Sequence, residues 1–230
     1  MREPIEPNLI KVRTRIEQAC RQSGRDPNSV NLLAVSKTKP VEMIEIALNC
    51  CQYHFGENYL QDALKKIPKV TNPDVIWHFI GAIQSNKTRQ IAESFDWVHT
   101  VASEKIARRL NNQRPTDRDP LQVLLQVNID DETSKSGLLV EEVHSIIEPL
   151  LSLNRICLRG LMAIPTRSDD HHVQQDAFSR LSGLLKSVNQ DFSIDHFDQL
   201  SMGMSSDLET AIAEGATIVR IGTAIFGARA

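Results

Sequence analysis

Asn31-Leu32-Leu33-Ala34-Val35-Ser36-Lys37-Thr38-Lys39-Pro40 is an apolar run that ends on lysines and a proline. From Leu32 to Val35 no polar residue interrupts it, which is the pattern of a strand covered on both faces, as in a parallel sheet. Pro40 and its polar neighbours close the strand, so Lys37 falls where the C-terminal end of the strand meets a loop. In a barrel of alternating strands and helices, that end carries the chemistry. A lysine at the edge of an apolar core loses its proton readily, because burial disfavours the ammonium. The neutral amine is then a nucleophile that forms a Schiff base with an aldehyde cofactor. The alternative reading is an ordinary surface lysine, like Lys39.

Outward from this stretch the same unit recurs. A helix over 7–23 precedes it, with Leu9, Val12, Ile16 and Ala19 at helical spacing and Gly24 at its end. A helix over 41–51 follows, and then six strand and helix pairs. The strands are read at 53–55, 76–80, 97–100, 121–129, within 156–164 and at 198–201. The helices are read at 59–67, 87–94, 104–112, 140–151 and 173–188, and from Ser206. Ser206-Asp207-Leu208-Glu209 has capping-box spacing, and Gly215 suits the end of that helix. Thr217 to Ile221 is the last strand, closed by Gly222. Eight strands separated by helices imply a parallel sheet. In a chain of 230 residues they imply a closed (β/α)8 TIM-type barrel with an extra N-terminal helix. An open doubly wound sheet is the alternative, but no GxGxxG follows the first strand. No Gly-, Pro- or Ser-rich linker divides the chain, so residues 1–230 are expected to form one domain.

Composition narrows the function. The chain is 41% hydrophobic and 24% charged, with a formal net charge of -3, which is ordinary for a globular protein. It carries no concentrated basic patch of the kind that binds nucleic acid, no apolar stretch of membrane-spanning length, and no signal-peptide core after Met1-Arg2-Glu3-Pro4. The expectation is a cytoplasmic protein. Cys20, Cys50, Cys51 and Cys157 lack CxxC spacing and read as reduced structural thiols. His171-His172, beside Asp169 and Asp170, reads as a loop or helix start rather than a metal site, and no metal is expected.

If the barrel closes, the strand ends meet at one mouth. The candidates there are Lys37, Asn58, His78, Met162, the 201–206 loop, Arg220, Gly222 and Thr223. Loops after the seventh and eighth strands of such barrels commonly bind phosphate. Glycines let the backbone approach the anion and hydroxyls donate to it. A phosphate site at one end and a Schiff-base lysine at the other match pyridoxal 5'-phosphate. Arg220 sits among apolar residues, where an unpaired charge is costly. Placed against a pyridine nitrogen, a guanidinium donates a hydrogen bond but keeps its proton, which makes the cofactor a weaker electron sink. His78 reads as a hydrogen-bonded core histidine, with a general base as the alternative. Trp77 and Trp97 read as core residues. The Thr133-Ser134-Lys135-Ser136-Gly137 loop reads as a solvated loop before a helix, or else an anion contact.

Several motifs together resemble those of the YggS/PROSC family, the pyridoxal phosphate homeostasis proteins. They are Leu33-Ala34-Val35-Ser36-Lys37-Thr38-Lys39, Phe55-Gly56-Glu57-Asn58-Tyr59, Trp77-His78-Phe79-Ile80-Gly81 and Gln84-Ser85-Asn86-Lys87. Further along come Gly160-Leu161-Met162-Ala163-Ile164, Leu200-Ser201-Met202-Gly203-Met204-Ser205, and the run from Val219 to Gly227. The resemblance implies a barrel like the N-terminal domain of alanine racemase, with pyridoxal phosphate on Lys37. It places the phosphate against Ser201 or Ser205 and against Gly222 and Thr223, Arg220 at the ring nitrogen, and Asn58 near the cofactor.

The resemblance also implies a protein that holds the cofactor, influences vitamin B6 and amino-acid pools, and has no robust catalytic activity. Racemases of this architecture use two bases, the second from an added domain, and the chain ends soon after its eighth strand. A monomer is therefore expected, with apo forms of pyridoxal-phosphate enzymes as transient partners. The rival reading is a small amino-acid racemase using Lys37 and His78. A third is an interaction protein with a fossil site.

Overall fold

In β1 (Asn31–Val35), Leu33 and Val35 belong to the cluster that fills the barrel, while Leu32 and Ala34 pack outward against the helices. Both faces of the strand are buried, so both are apolar. The computed structural model describes residues 4–132, 136–166, 168 and 170–228.

The other strands are β2 (His54–Glu57), β3 (Ile76–Phe79), β4 (Trp97–Val101), β5 (Leu121–Gln126), β6 (Ile156–Met162), β7 (Gln199–Ser201) and β8 (Ile218–Ile221). They are parallel and close in sequence order, β8 pairing back onto β1 through Leu33 opposite Arg220. This is the (β/α)8 barrel expected from the sequence. Its interior cluster is small and apolar, comprising Leu33, Val35, Ile80, Leu124, Met162 and Ile218 with Trp97 against it. The larger core lies between strands and helices.

The helices are α1 (Ile5–Gln22), α2 (Val41–Asn49), α3 (Leu60–Lys66), α4 (Thr88–Ser94), α5 (Glu104–Gln113), α6 (Val143–Leu151), α7 (His171–Phe192), α8 (Leu208–Ala213) and α9 (Thr223–Phe226). The added helix α1 buries Leu9, Val12, Ile16 and Ala19 and packs on α8 and α9. Its Asn8 Nδ2 donates to the Ile225 carbonyl across the chain termini (3.0 Å). Gly24 follows its end with φ +66°, where a Cβ would be strained.

Three element expectations are corrected. β5 stops at Gln126, and Val127 makes only an isolated bridge to Leu138. Helix α7 runs four residues past the expected Val188, to Phe192, with the left-handed Ser193 ending it. Helix α8 starts at Leu208 behind Asp207, and Ser206 does not cap it. Asp207 accepts from the Met204 N–H (2.5 Å), and Glu209, the acidic partner of the expected box, pairs with Arg15 on α1 (2.7 Å). Among the described residues no helix is long and apolar enough to cross a membrane.

Candidate functional site

Strand parity decides what faces the barrel mouth. On β1 the inward residues are 33 and 35, and two residues on stands Lys37. On β2, Phe55 packs outward, so Asn58 continues the inward series of His54 and Gly56. On β8, Val219 and Ile221 pack outward, which turns Arg220 inward. The result is a cavity of about 580 Å³ at the C-terminal end of the strands. Lys37, Asn58, Ser205, Arg220, Gly222 and Thr223 all line it, with Val35, Ile80 and Met204 as apolar wall.

Ser201, Met162 and His78 do not line it. Ser201 is fully buried one layer below, where its Oγ accepts from Arg220 Nη1 (2.8 Å). Met162 belongs to the interior cluster. His78 is sealed among Trp97, His54 and His99 inside the barrel. Thr133 to Lys135 lie outside the described residues, as do Met1 to Glu3 and Asp169. His171 opens α7, with the Asp170 carboxylate accepting from the His172 N–H (2.8 Å). All four cysteines are free thiols, and the described residues hold no cluster of His, Cys, Asp and Glu arranged for a metal.

The loop carrying Lys37 is pinned on both sides. Ser36 Oγ donates to Glu57 Oε1 (2.6 Å), and the Thr38 N–H donates to Asp62 Oδ2 (3.1 Å). The Lys66 ammonium joins these anchors, donating to Glu57 (2.6 Å), Asp62 (2.8 Å) and the Ser36 carbonyl (3.0 Å). Thr38 is held at φ +63°, a conformation that a threonine adopts only under such constraint. Burial pushes the Glu57 carboxyl up, and the charge and hydrogen bond of Lys66 pull against it. Removing Lys66 alone would leave a buried charge unpaired, a loss of about 3–5 kcal/mol.

On the opposite wall, the loops after β7 and β8 bring backbone close. Gly203 has φ +89°, and a Cβ there would lie 2.6 Å from that of Ala211. At Gly222 a Cβ would press on the Val35 carbonyl at 3.3 Å, and Gly222 accepts from the N–H groups of Ile225 and Phe226 at the start of α9. The loop is tied to α1 by Arg15 Nη2, which donates to the Ser205 carbonyl (3.1 Å).

Arg220 forms the floor. It donates to Ser201 Oγ and, through Nη2, to the Ala163 carbonyl (2.9 Å). Among the described residues no carboxylate pairs with it, and Asp207 acts on it only at longer range. Burial accordingly lowers the guanidinium to about 10. A cation held by neutral acceptors on its buried side is matched by an anionic or electron-rich group above. Asn58 adds a buried Oδ1 with no hydrogen-bond partner among the described residues. Lysine, arginine, two hydroxyls and a glycine-lined loop therefore fit a phosphorylated aldehyde with a basic ring nitrogen.

Sequence reasoning passed over several residues. Glu57, Asp62 and Lys66 support Lys37 from outside the barrel. His54 and His99 join His78 in a line beneath Arg220. His54, His78 and His99 sit on three consecutive strands at the inward parity. That spacing was the signal.

Comparison with known proteins agrees with this geometry. Residues 8–230 match the family model described as alanine racemase, N-terminal domain. A pyridoxal phosphate homeostasis protein of Pseudomonas aeruginosa is 52% identical over 225 residues, covering 98% of this chain and 96% of its own. Among solved structures, PipY of Synechococcus elongatus without PLP superposes with a TM-score of 0.87 at 36% identity, covering 97% of this chain and all of that one. PipY with PLP bound gives 0.81 at 34% identity, over 93% of this chain and all of that one. With that extent of identity and a barrel whose mouth gathers Lys37, Asn58, Ser205, Arg220, Gly222 and Thr223, the chain belongs to the alanine racemase N-terminal domain family and, within it, to the pyridoxal phosphate homeostasis proteins.

Proposed function

We propose that this chain holds pyridoxal 5'-phosphate at the barrel mouth and serves pyridoxal phosphate and amino-acid homeostasis, without robust catalysis of its own. The observation that carries the reading is the convergence of Lys37, Arg220, Ser205, Gly222 and Thr223 on one cavity of about 580 Å³. When bound, the cofactor supplies an aldehyde for covalent attachment and a ring that withdraws electrons.

The residues divide the work of holding it. Lys37 presents the amine that attaches the aldehyde, and the Glu57–Lys66–Asp62 cluster keeps its loop in place. Ser205, Thr223 and the backbone around Gly222 take the phosphate. Arg220 donates to the ring nitrogen and keeps its own proton, so the ring stays a weak electron sink. Ser201, expected at the phosphate, acts instead through Arg220. Asn58 orients the ring from the β2 side. Transient delivery to apo enzymes, a monomeric state and a cytoplasmic location belong to the same reading.

Borohydride reduction of the loaded protein, followed by peptide mapping, tests it. The reduced pyridoxyl group should lie on Lys37, and Lys37→Ala should carry none. Label on another lysine, or no label on the wild type, would sink the assignment.

A further inference from the structure

Beneath Arg220 an unbroken line of side chains crosses the barrel interior. Arg220 Nη1 lies 2.8 Å from Ser201 Oγ, and Ser201 Oγ lies 2.9 Å from His99 Nδ1. His99 Nε2 lies 2.9 Å from His78 Nδ1, and His78 Nε2 lies 2.9 Å from His54 Nδ1. The line starts on β8, crosses to β7 and β4, and descends through β3 to the first residue of β2. There His54 lines a separate cavity of about 720 Å³ on the opposite face of the barrel, together with Arg13, Glu17, Asn31 and Gln52.

One end of the line determines the direction of every bond in it. A guanidinium only donates, so Ser201 must accept from Arg220. Ser201 is fully buried, and its one proton has His99 Nδ1 as the remaining partner. His99 therefore carries its proton on Nε2 and donates to His78 Nδ1. His78 in turn carries its proton on Nε2 and donates to His54 Nδ1, leaving the His54 Nε2–H as the outermost donor. In the reversed string, Ser201 would keep a buried hydroxyl proton with no acceptor, at a cost comparable to a lost hydrogen bond.

Protonating an imidazole would set N–H against N–H within the line. The neighbours oppose it too. Arg220 opposes a charge on His99, His99 and His54 oppose one on His78, and Asp96 favours one on His54. Burial itself holds His78 and His99 well below the usual histidine range.

We propose that His54, His78, His99 and Ser201 are positioning residues for Arg220, forming a neutral hydrogen-bond line of single polarity that ties the upper cavity to the lower face of the barrel. Its role in cofactor holding rests on the reading of the upper cavity given above, but the line itself can be tested without cofactor. Nitrogen-15 NMR of the unloaded wild-type protein at neutral pH should show His78 and His99 each as one neutral tautomer, protonated on Nε2. Arg220→Met removes the group that sets the polarity, and both should become tautomer mixtures. A proton on Nδ1 of either ring in the wild type, or an unchanged spectrum in R220M, overturns the proposal.

The second arm uses the loaded protein. His54→Phe removes the terminal acceptor on the far face, and should weaken binding of pyridoxal phosphate about threefold to tenfold, the worth of one interior hydrogen bond. His54→Gln, whose amide oxygen still accepts, should restore it. Equal affinity in H54F and wild type would overturn the link to the cavity. A wild type that takes up no pyridoxal phosphate would overturn the site reading, and the tautomers would still decide the line.

Discussion

Lys37 and Arg220 are each worth little as isolated letters, and each gains its meaning from what surrounds it. Lys37 is held between Ser36 and Thr38, both anchored to carboxylates. Arg220 stands on a serine and three neutral histidines. Those histidines have a consequence for stability. Burial lowers the folded-state affinity of His78 and His99 for protons far below that of an exposed histidine, about 6.5. Below that pH the unfolded chain binds protons that the folded chain refuses, so stability falls as pH falls. Each of the two groups contributes a slope of up to about 1.4 kcal/mol per pH unit. Urea denaturation at pH 7.5 and at pH 5.5 should therefore show a loss of roughly 2–3 kcal/mol at the lower pH, before most carboxylates titrate. Equal midpoints at the two pH values would mean that these imidazoles accept protons inside the fold.

At the level of elements, β1 was readable because both of its faces are apolar, and the run Leu32 to Val35 reports that directly. Lys37 followed from its place at the C-terminal end of the same run. β7 was weakly readable because it has only three residues and a single register pair with β8, Ser201 opposite Ile218. The capping box at Ser206 misled because its Glu209 is taken by Arg15 on α1, a contact distant in sequence that local spacing cannot encode. Gly160 was read only as part of a motif. In the fold it has φ +148°, and a Cβ would fall 2.0 Å from the Gln199 carbonyl, where β6 pairs with β7. Gly160→Ala should push the two strands apart at the barrel's shortest strand. The expected cost is at least about 2–3 kcal/mol, from backbone strain and disturbed pairing. Thermal unfolding of G160A measures it. A transition within a degree of the wild type would show that the seam yields freely.

Across the whole molecule, the arrangement favours holding the cofactor over turning it. The class of fold and the meeting of Lys37, Asn58, Ser205, Arg220, Gly222 and Thr223 at one mouth were legible because strand ends converge in a barrel whatever the helices do. What was not legible lay between strands far apart in sequence, as where His99 on β4 meets Ser201 on β7 across the interior. That contact also bears on catalysis. Carbanion chemistry at an amino-acid α-carbon needs a base on each face of the cofactor for racemisation, and a ring that accepts electrons. Among the described residues lining the cavity, Lys37 supplies one base. Asp207 is engaged with the Met204 N–H, and His78, the rival's second base, is sealed beneath the floor with both nitrogens bonded to other histidines. Arg220 at the ring nitrogen would weaken the electron sink further. Proton NMR of the loaded protein with several amino acids in heavy water should accordingly show no loss of α-hydrogen signal beyond that caused by free pyridoxal phosphate at the same concentration. Faster exchange that disappears in Lys37→Ala would instead mean that the mouth of this barrel activates the α-carbon, with Lys37 acting alone on one face.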